Sequence, residues 1–291
     1  MDPGQIIAGR YRIECLLGRG AMGSVYRAVQ LSIKRQVALK LLEFQNDENQ
    51  GLIERFEREA RALSRLSHPN TVRLFDYGTD ERGVPFIVME LLRGCDLAED
   101  WARQGPLRWD QALRVLQAVA GSLGEAHREG VVHRDIKPAN VFLCAGAAWP
   151  SIKVLDFGIA AETDPEKASK LTRTGTVVGS AAYMSPEQAQ GHAVNAPSDL
   201  YALGVLAFEA MTAQTPFESR AFTAQLLAKV LEPAPSLRDA RASSPRRDRR
   251  WGGRRREADV RGDARAVPAP CDSHGAAQRF ARGRNGRAIR S

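Results

Sequence analysis

The chain has 291 residues, 43% apolar and 26% charged, with four scattered cysteines and a net charge of +8. These values suit a soluble globular protein of one large domain or two lobes. Cys15, Cys95, Cys144 and Cys271 form no CxxC pair or metal-ligand spacing, so they read as reduced cytosolic thiols rather than a disulfide framework. The start, "MDPGQIIAGRYRI", lacks the basic flank and apolar block of a signal peptide. No apolar run approaches the roughly 20 residues of a membrane helix, which points to a cytoplasmic protein with no membrane segment. The positive charge is confined to one end. From Arg241 onward there are 15 arginines against five acids, a balance of +10, and the remainder carries −2. A nucleic-acid partner is therefore not expected of the folded body.

In chain order, Tyr11 to Leu17 and Ser24 to Ala28 read as strands flanking a glycine-rich turn, with another strand from Gln36 to Leu42. A helix follows from about Leu52 to Leu66, with Phe56, Ala60, Leu63 and Leu66 at helical spacing, and "SHPN" ends it. Strands are expected over Thr71–Asp76 and Pro85–Leu91. The next hundred residues are mainly helical. Trp109–Glu129 places Leu113, Leu116, Val119, Ala120, Leu123 and Ala126 on one stripe. Ser198–Met211 is apolar on nearly every side and reads as fully buried, and Ala221–Leu231 is a shorter amphipathic helix. The coarse shape is α+β: an antiparallel-sheet lobe followed by a helical one.

"LGRGAMGSVY" sets Gly18, Gly20 and Gly23 in a GxGxxG pattern, in which backbone amides can approach phosphate oxygens. Dinucleotide-binding folds share this pattern, and Glu43 lies about 20 residues further on, as their fingerprint asks. That reading needs a helix at the glycines, whereas "SVYRAV" is β-branched and aromatic in strand fashion. Lys40 ends "VALK", 17 residues after Gly23; a strand pairing back under the glycine turn carries its ammonium to the same phosphates. Glu59 is the candidate carboxylate to position it, because Phe56, Ala60 and Leu63 mark the neighbouring buried face; Glu54 and Glu57 read as solvated. In "HRDIKPAN", Asp135 offers a carboxylate near a hydroxyl nucleophile and Asn140 an amide oxygen for a divalent metal. Asp156 in "VLDFG" is the second hard-oxygen ligand, and Lys137 neutralises charge on a moving phosphoryl group. These groups suit phosphoryl transfer, where positioning and electrostatics carry catalysis.

The glycine loop, Lys40, "HRDIKPAN", "DFG" and a later Pro-Glu pair occur in one order, and in this the chain resembles the eukaryotic-type (Hanks-type) Ser/Thr protein kinases, most of all the bacterial ones. The resemblance spans about Gln5 to Ala240. It implies a two-lobed kinase fold, with an N-lobe over 5–92, a C-lobe over 93–240 and an Arg-rich tail over 241–291. It also implies ATP with Mg²⁺ (or Mn²⁺) as cofactors, and protein Ser/Thr hydroxyls as substrates. Lys40 would contact the α- and β-phosphates and pair with Glu59. Asp135 would orient the substrate hydroxyl, Lys137 would touch the γ-phosphate, and Asn140 and Asp156 would hold the metal. Leu17, Gly18, Gly20 and Gly23 would cover the nucleotide. Val25, Ala38 and Phe142 would sandwich the adenine, with Met89 behind it and Glu90 and Leu92 giving backbone hydrogen bonds. His133 and Phe157 are implied to be packing residues, and Asp199 to hold the catalytic loop through backbone hydrogen bonds. Arg134 implies an unpaired positive pocket for a phosphorylated loop, with Thr172 and Thr174 as sites of trans-autophosphorylation by self-association.

The chain departs from the family at several points. Ser180 stands for threonine, Ser185 for alanine, and Ala213 for glycine. After "PAPSLRDA" the family's last helices are replaced by a segment that, beyond Arg241, contains no leucine, methionine, lysine, threonine or tyrosine. It reads either as an arginine-rich arm for anionic surfaces or, preferably, as a frame-shifted or divergent end. The family's buried arginine partner for Glu187 is then missing, and helices around Leu206 and Leu227 are expected to lose cover, weakening the fold. A catalytically dead nucleotide-binding or scaffolding fragment is the competing reading.

Overall fold

The computed structural model describes residues 1–20, 23–42, 50–105, 107–146, 150–158, 180–217, 221–238 and 240. Thr172, Thr174 and the whole of 241–291 lie outside the described residues. Contacts divide these residues into two units, 1–42 with 74–91 and 50–73 with 92–240.

Six antiparallel strands build the first unit: β1 (Ile6–Ile7), β2 (Tyr11–Gly20), β3 (Gly23–Gln30), β4 (Arg35–Leu42), β5 (Leu74–Thr79) and β6 (Pro85–Glu90), in the order β1-β2-β3-β4-β6-β5. Side chains alternate across a strand, so one face of each buries together. Tyr11, Ile13, Tyr26, Ala28, Val37, Leu39, Leu41, Phe86 and Val88 form that core, with the Tyr11 and Phe86 rings edge-to-face at 5.9 Å. The Tyr11 hydroxyl donates to Asp76 at 2.5 Å, and Arg10 bonds the same carboxylate at 2.7 Å, fastening β2 to β5. Burial first, then the hydrogen bond to Asp76 and its charge, pushes the Tyr11 phenol well above its ordinary range. At the β5–β6 turn Asp80 accepts the backbone N–H groups of Arg82 and Val84, at 2.9 and 2.8 Å.

The second unit is mainly helical, with α1 (Gln50–Leu63), α2 (Leu97–Gln104), α3 (Trp109–Arg128), α4 (Pro186–Ala189), α5 (Ala196–Thr212) and α6 (Phe222–Leu231). It adds a small sheet of β7 (Gly94–Asp96), β8 (Val141–Cys144) and β9 (Ser151–Val154). By its contacts α1 groups here rather than with the six-stranded sheet. It buries Phe56, Ala60 and Leu63, as its spacing requires, and stops at Leu63.

Three local expectations shift. The strand foreseen from Thr71 begins only at Leu74, because Thr71 bridges Val154 of the small sheet instead. On α3 the buried stripe is Ala112, Val115, Val119, Ser122, Leu123 and Ala126, whereas Leu113 is 40% exposed. Two helical stripes one residue apart have the same period, and the small residues of this one let α5 and β9 approach. Gly121 makes room for a different neighbour: a Cβ there would lie 2.8 Å from the His68 ring. Finally, α5 is not buried all round, since Leu200 is 56% exposed.

Candidate active site

In the first unit the three glycines have different physical roles. Gly23 sits at φ 135°, and a Cβ there would meet the Leu41 carbonyl oxygen at 1.9 Å, so glycine is demanded by β3–β4 pairing itself. Among the described residues, no heavy atom lies within 4 Å of such a Cβ at Gly18 or Gly20. Nothing among the described residues of the sheet requires glycine at those two positions. They lie in paired strand, with Gly20 opposite Gly23 and a register shift between Leu16 and Gly18, rather than in an open turn. Leu17, at that shift, is 44% exposed.

Register places Val25 opposite Lys40, Lys40 opposite Ile87, and Ala38 opposite Met89. With period-two alternation, Val25, Ala38, Lys40 and Met89 share one face, opposite to the Leu39 and Leu41 core face. Lys40 is nevertheless buried, an unusual setting for an ammonium group. Glu90 closes β6 half-buried.

In the second unit, the loop running into β8 gathers the charged residues. Lys137 Nζ donates to Asp135 Oδ2 at 2.7 Å. Asn140 Nδ2 donates to the Asp135 carbonyl at 2.7 Å and to its Oδ2 at 3.1 Å. Proline at the start of the 3-10 turn Pro138–Asn140 fixes the backbone that brings Asn140 back to Asp135. The Asn140 carbonyl accepts the Leu155 N–H at 2.9 Å, which sets Asp156 one residue away. Asp156 (φ 52°) and Arg134 (φ 68°) both adopt left-handed backbone, a strain of about 1–3 kcal/mol each. Phe142 lies half-buried on β8, and Leu92 is half-buried ahead of β7.

Two buried groups hold this loop. Asp199, 1% exposed near the start of α5, accepts the backbone N–H of His133 at 2.8 Å and of Arg134 at 2.7 Å, and bonds His127 Nε2 at 2.7 Å. His133 is fully buried; its Nδ1 accepts the Asp135 N–H at 3.3 Å, which assigns the proton to Nε2, donated to the Leu155 carbonyl at 2.8 Å. Burial lowers its pKa, so the ring is a neutral spacer packed 4.5 Å from Phe157.

Arg134 departs from the unpaired pocket expected of it: its guanidinium lies 3.9 Å from the Glu59 carboxylate of α1. Glu187 likewise is not left bare. Its carboxylate accepts the Ser198 hydroxyl; burial alone would raise its pKa, and that hydroxyl, its own backbone N–H and Ser185 bring it below the ordinary value. Leu206 is fully buried, and Leu227 is 55% exposed.

Further structural residues escaped the sequence reading. Glu125 of α3 accepts the backbone N–H groups of Ser67 and His68, at 3.0 and 2.8 Å, anchoring the "SHPN" segment. Gln188 of α4 donates to the Arg134 carbonyl at 2.8 Å. Lys229 is the lone cation in the apolar helix "FTAQLLAKVL", and that isolation was the available signal. No cluster of three or more His, Cys, Asp or Glu suited to a metal occurs among the described residues. No described helix is long and apolar enough to cross a membrane.

A sheet unit with a glycine hairpin and buried lysine, and a helical unit whose loop joins an acid, an ammonium and an amide, define the two-lobed kinase class of fold. The comparisons agree: residues 11–248 match the protein kinase domain family, and the chain belongs to it. It is 44% identical over 248 residues to the serine/threonine-protein kinase pkn3 of Myxococcus xanthus, covering 82% of this chain and 45% of that one. It is 38% identical over 242 residues to the serine/threonine-protein kinase PrkC of Bacillus subtilis, covering 83% and 36%. PknA of Mycobacterium tuberculosis is 37% identical over 238 residues, covering 80% and 54%. The chain thus spans about half or less of these curated relatives. The crystal structure of the Mycobacterium tuberculosis PknI kinase domain superposes with a TM-score of 0.64 at 29% identity, covering 84% of this chain and 86% of that one.

Proposed function

We propose that this chain transfers the γ-phosphoryl group of ATP to Ser/Thr hydroxyls of proteins. The observation that carries the reading is the contact of Asp135 Oδ2 with both Lys137 Nζ, at 2.7 Å, and Asn140 Nδ2, at 3.1 Å. Two donors within five residues of Asp135 converge on its carboxylate, the arrangement needed to orient an alcohol beside a transferring phosphoryl group.

In this reading Asp135 orients the acceptor hydroxyl and takes up its proton, and Lys137 contacts the γ-phosphate. Asn140 spends both Nδ2 hydrogens on Asp135, so its Oδ1 is the atom left for a cation. With Asp156 it offers two hard oxygens, a set that fits Mg²⁺ or Mn²⁺ completed by phosphate and water. When bound, the ion neutralises charge on the phosphates. Lys40 binds the α- and β-phosphates and pairs with Glu59. Gly18 and Gly20 admit the phosphates; Leu17, Val25, Ala38, Met89 and Phe142 enclose the adenine, with backbone bonds at Glu90 and Leu92. Gly23 serves the hairpin. Self-association leads to trans-autophosphorylation at Thr172 or Thr174, and the added phosphate competes with Glu59 for Arg134. The working compartment is the cytoplasm.

The test is phosphate transfer from labelled Mg-ATP to a generic protein acceptor, comparing wild type with Asp156→Asn. Transfer by wild type and its loss in the variant are expected. Nucleotide binding without transfer by wild type would instead mark a binding or scaffolding fragment.

A further inference from the structure

Lys229 of α6 is 6% exposed, yet no carboxylate pairs with it among the described residues. Its ammonium donates to three backbone carbonyls: Ala181 at 2.6 Å, Ala182 at 2.6 Å and Met184 at 2.8 Å. The Tyr201 ring of α5 lies 5.7 Å from Nζ, the range of a cation–π contact. An ammonium has three hydrogens, and here each has one acceptor. Two of the acceptors close the 3-10 turn Ser180–Ala182, where carbonyls stand without partners and a cation is most effective.

The segment so held is fixed from other sides as well. The Tyr183 hydroxyl donates to Glu209 of α5. Ser185, next in the chain, caps α4 by accepting the Gln188 N–H at 3.3 Å. Gln188 then donates to the Arg134 carbonyl at 2.8 Å, one residue before Asp135. Hydrogen bonds joined by the 181–188 backbone therefore lead from Lys229 to the residue adjoining the reacting carboxylate.

This has a consequence for the acceptor protein. A hydroxyl at Asp135 lies within about 3 Å of it, and the residues beside that hydroxyl are spaced by only about 3.3–3.6 Å. They run close to the backbone around Asp135, where the Gln188 side chain joins the end of the 181–188 segment to the Arg134 carbonyl.

We propose that Lys229 is a positioning residue for the protein acceptor: its ammonium fastens the 181–184 backbone into the shelf along which the acceptor chain lies. The inference rests on the kinase reading above. Neutral methionine, similar in length, supplies none of the three donors. Arginine keeps charge and donors but spreads them over a planar fork that cannot centre on three convergent carbonyls.

The experiment uses the full chain as wild type, Lys229→Met and Lys229→Arg. With a protein acceptor, Lys229→Met is expected to raise the acceptor KM at least about tenfold while the ATP KM stays within about twofold; Lys229→Arg recovers part of the loss. Hydrogen exchange gives a readout independent of activity: amides of 181–189 exchange at least about tenfold faster in Lys229→Met, with strands β3 and β4 unchanged. Unchanged exchange in 181–189 overturns the proposal whether or not the chain is active. Equal rises in both KM values, or faster exchange throughout the chain, show a merely structural lysine and overturn it too. If Lys229→Met does not fold, Lys229→Arg is read in the same way. A wild type that transfers no phosphate refutes the kinase reading instead, and exchange still decides whether Lys229 holds the segment.

Discussion

Replacing Asp199 tests how the loop bearing Asp135 is held. Its carboxylate receives three donors at 2.7–2.8 Å while 1% exposed: the His133 and Arg134 amides and His127 Nε2. Asp199→Asn keeps the volume but presents one oxygen and one NH₂. The oxygen can still serve the Arg134 amide, and His127 can shift its proton to accept from the new NH₂. The His133 amide has no such freedom and faces a donor, which costs about 1–3 kcal/mol. Loss of charge on the surviving bond removes about 1 kcal/mol more. The total of about 2–4 kcal/mol is a large part of the 5–15 kcal/mol that holds a typical domain together, at roughly its order of magnitude. Equilibrium urea unfolding reads this difference directly. Asp199→Ala strands all three donors and should cost more than Asp199→Asn. Phosphate transfer is expected to fall at least about tenfold in kcat for Asp199→Asn, with ATP affinity little changed. A stability within about 0.5 kcal/mol of wild type for both variants would refute the reasoning, because surface substitutions behave that way and a buried three-donor anchor cannot.

Gly23→Ala forces a Cβ to 1.9 Å from a carbonyl oxygen and should cost about 3 kcal/mol or more, whereas Gly18→Ala and Gly20→Ala should shift stability by under about 0.5 kcal/mol and weaken ATP binding instead. Calorimetric titration with ATP beside thermal melts separates the two effects. Ala213 caps α5 at φ 60°, so Ala213→Gly is expected to raise stability by about 0.5–1 kcal/mol, read as a higher urea midpoint. The Glu125 carboxyl, which burial alone would raise, is held below its ordinary 4.5 by the Ser67 and His68 amides. Its folded pKa is below the unfolded one, so its contribution is complete above about pH 4.5 and is lost as pH falls through the depressed value. Glu125→Gln should flatten the fall of the urea midpoint between about pH 5 and 3, and an identical slope would sink this.

Legibility in the sequence followed sequence distance. Asp135, Lys137 and Asn140 lie within six residues, and proline and a tight turn nearly dictate how their side chains meet, so residue type and spacing alone exposed the constellation. Strand pairing under the glycines was read for Lys40 alone; Val25 and Ala38 came from the resemblance, and the register sets them on the face of Lys40. Partners far apart in the chain stayed hidden from spacing: Glu125 lies 58 residues from Ser67, and Lys229 lies 48 from Ala181, whereas Asp199, 66 residues from His133, was placed on the loop by the family resemblance alone, as the structure bears out. The expected stripe of α3 held at Val119, Leu123 and Ala126 but not at Leu113 and Ala120, because neighbouring rows share the helical period and the packing of α5 and β9 chooses among them.

Sequence alone thus determined the class of chemistry, because the reacting groups sit on short loops whose geometry is local. It also determined the strand character of the glycine hairpin, through β-branched and aromatic alternation. Tertiary structure decided what holds those groups: that Gly23 answers to the Leu41 carbonyl, that Arg134 faces Glu59, and that a lysine in an apolar helix is spent on three carbonyls. The physical reason is that a buried polar group must find a partner wherever the fold offers one, and that partner's place in the chain leaves no mark on the residues beside it.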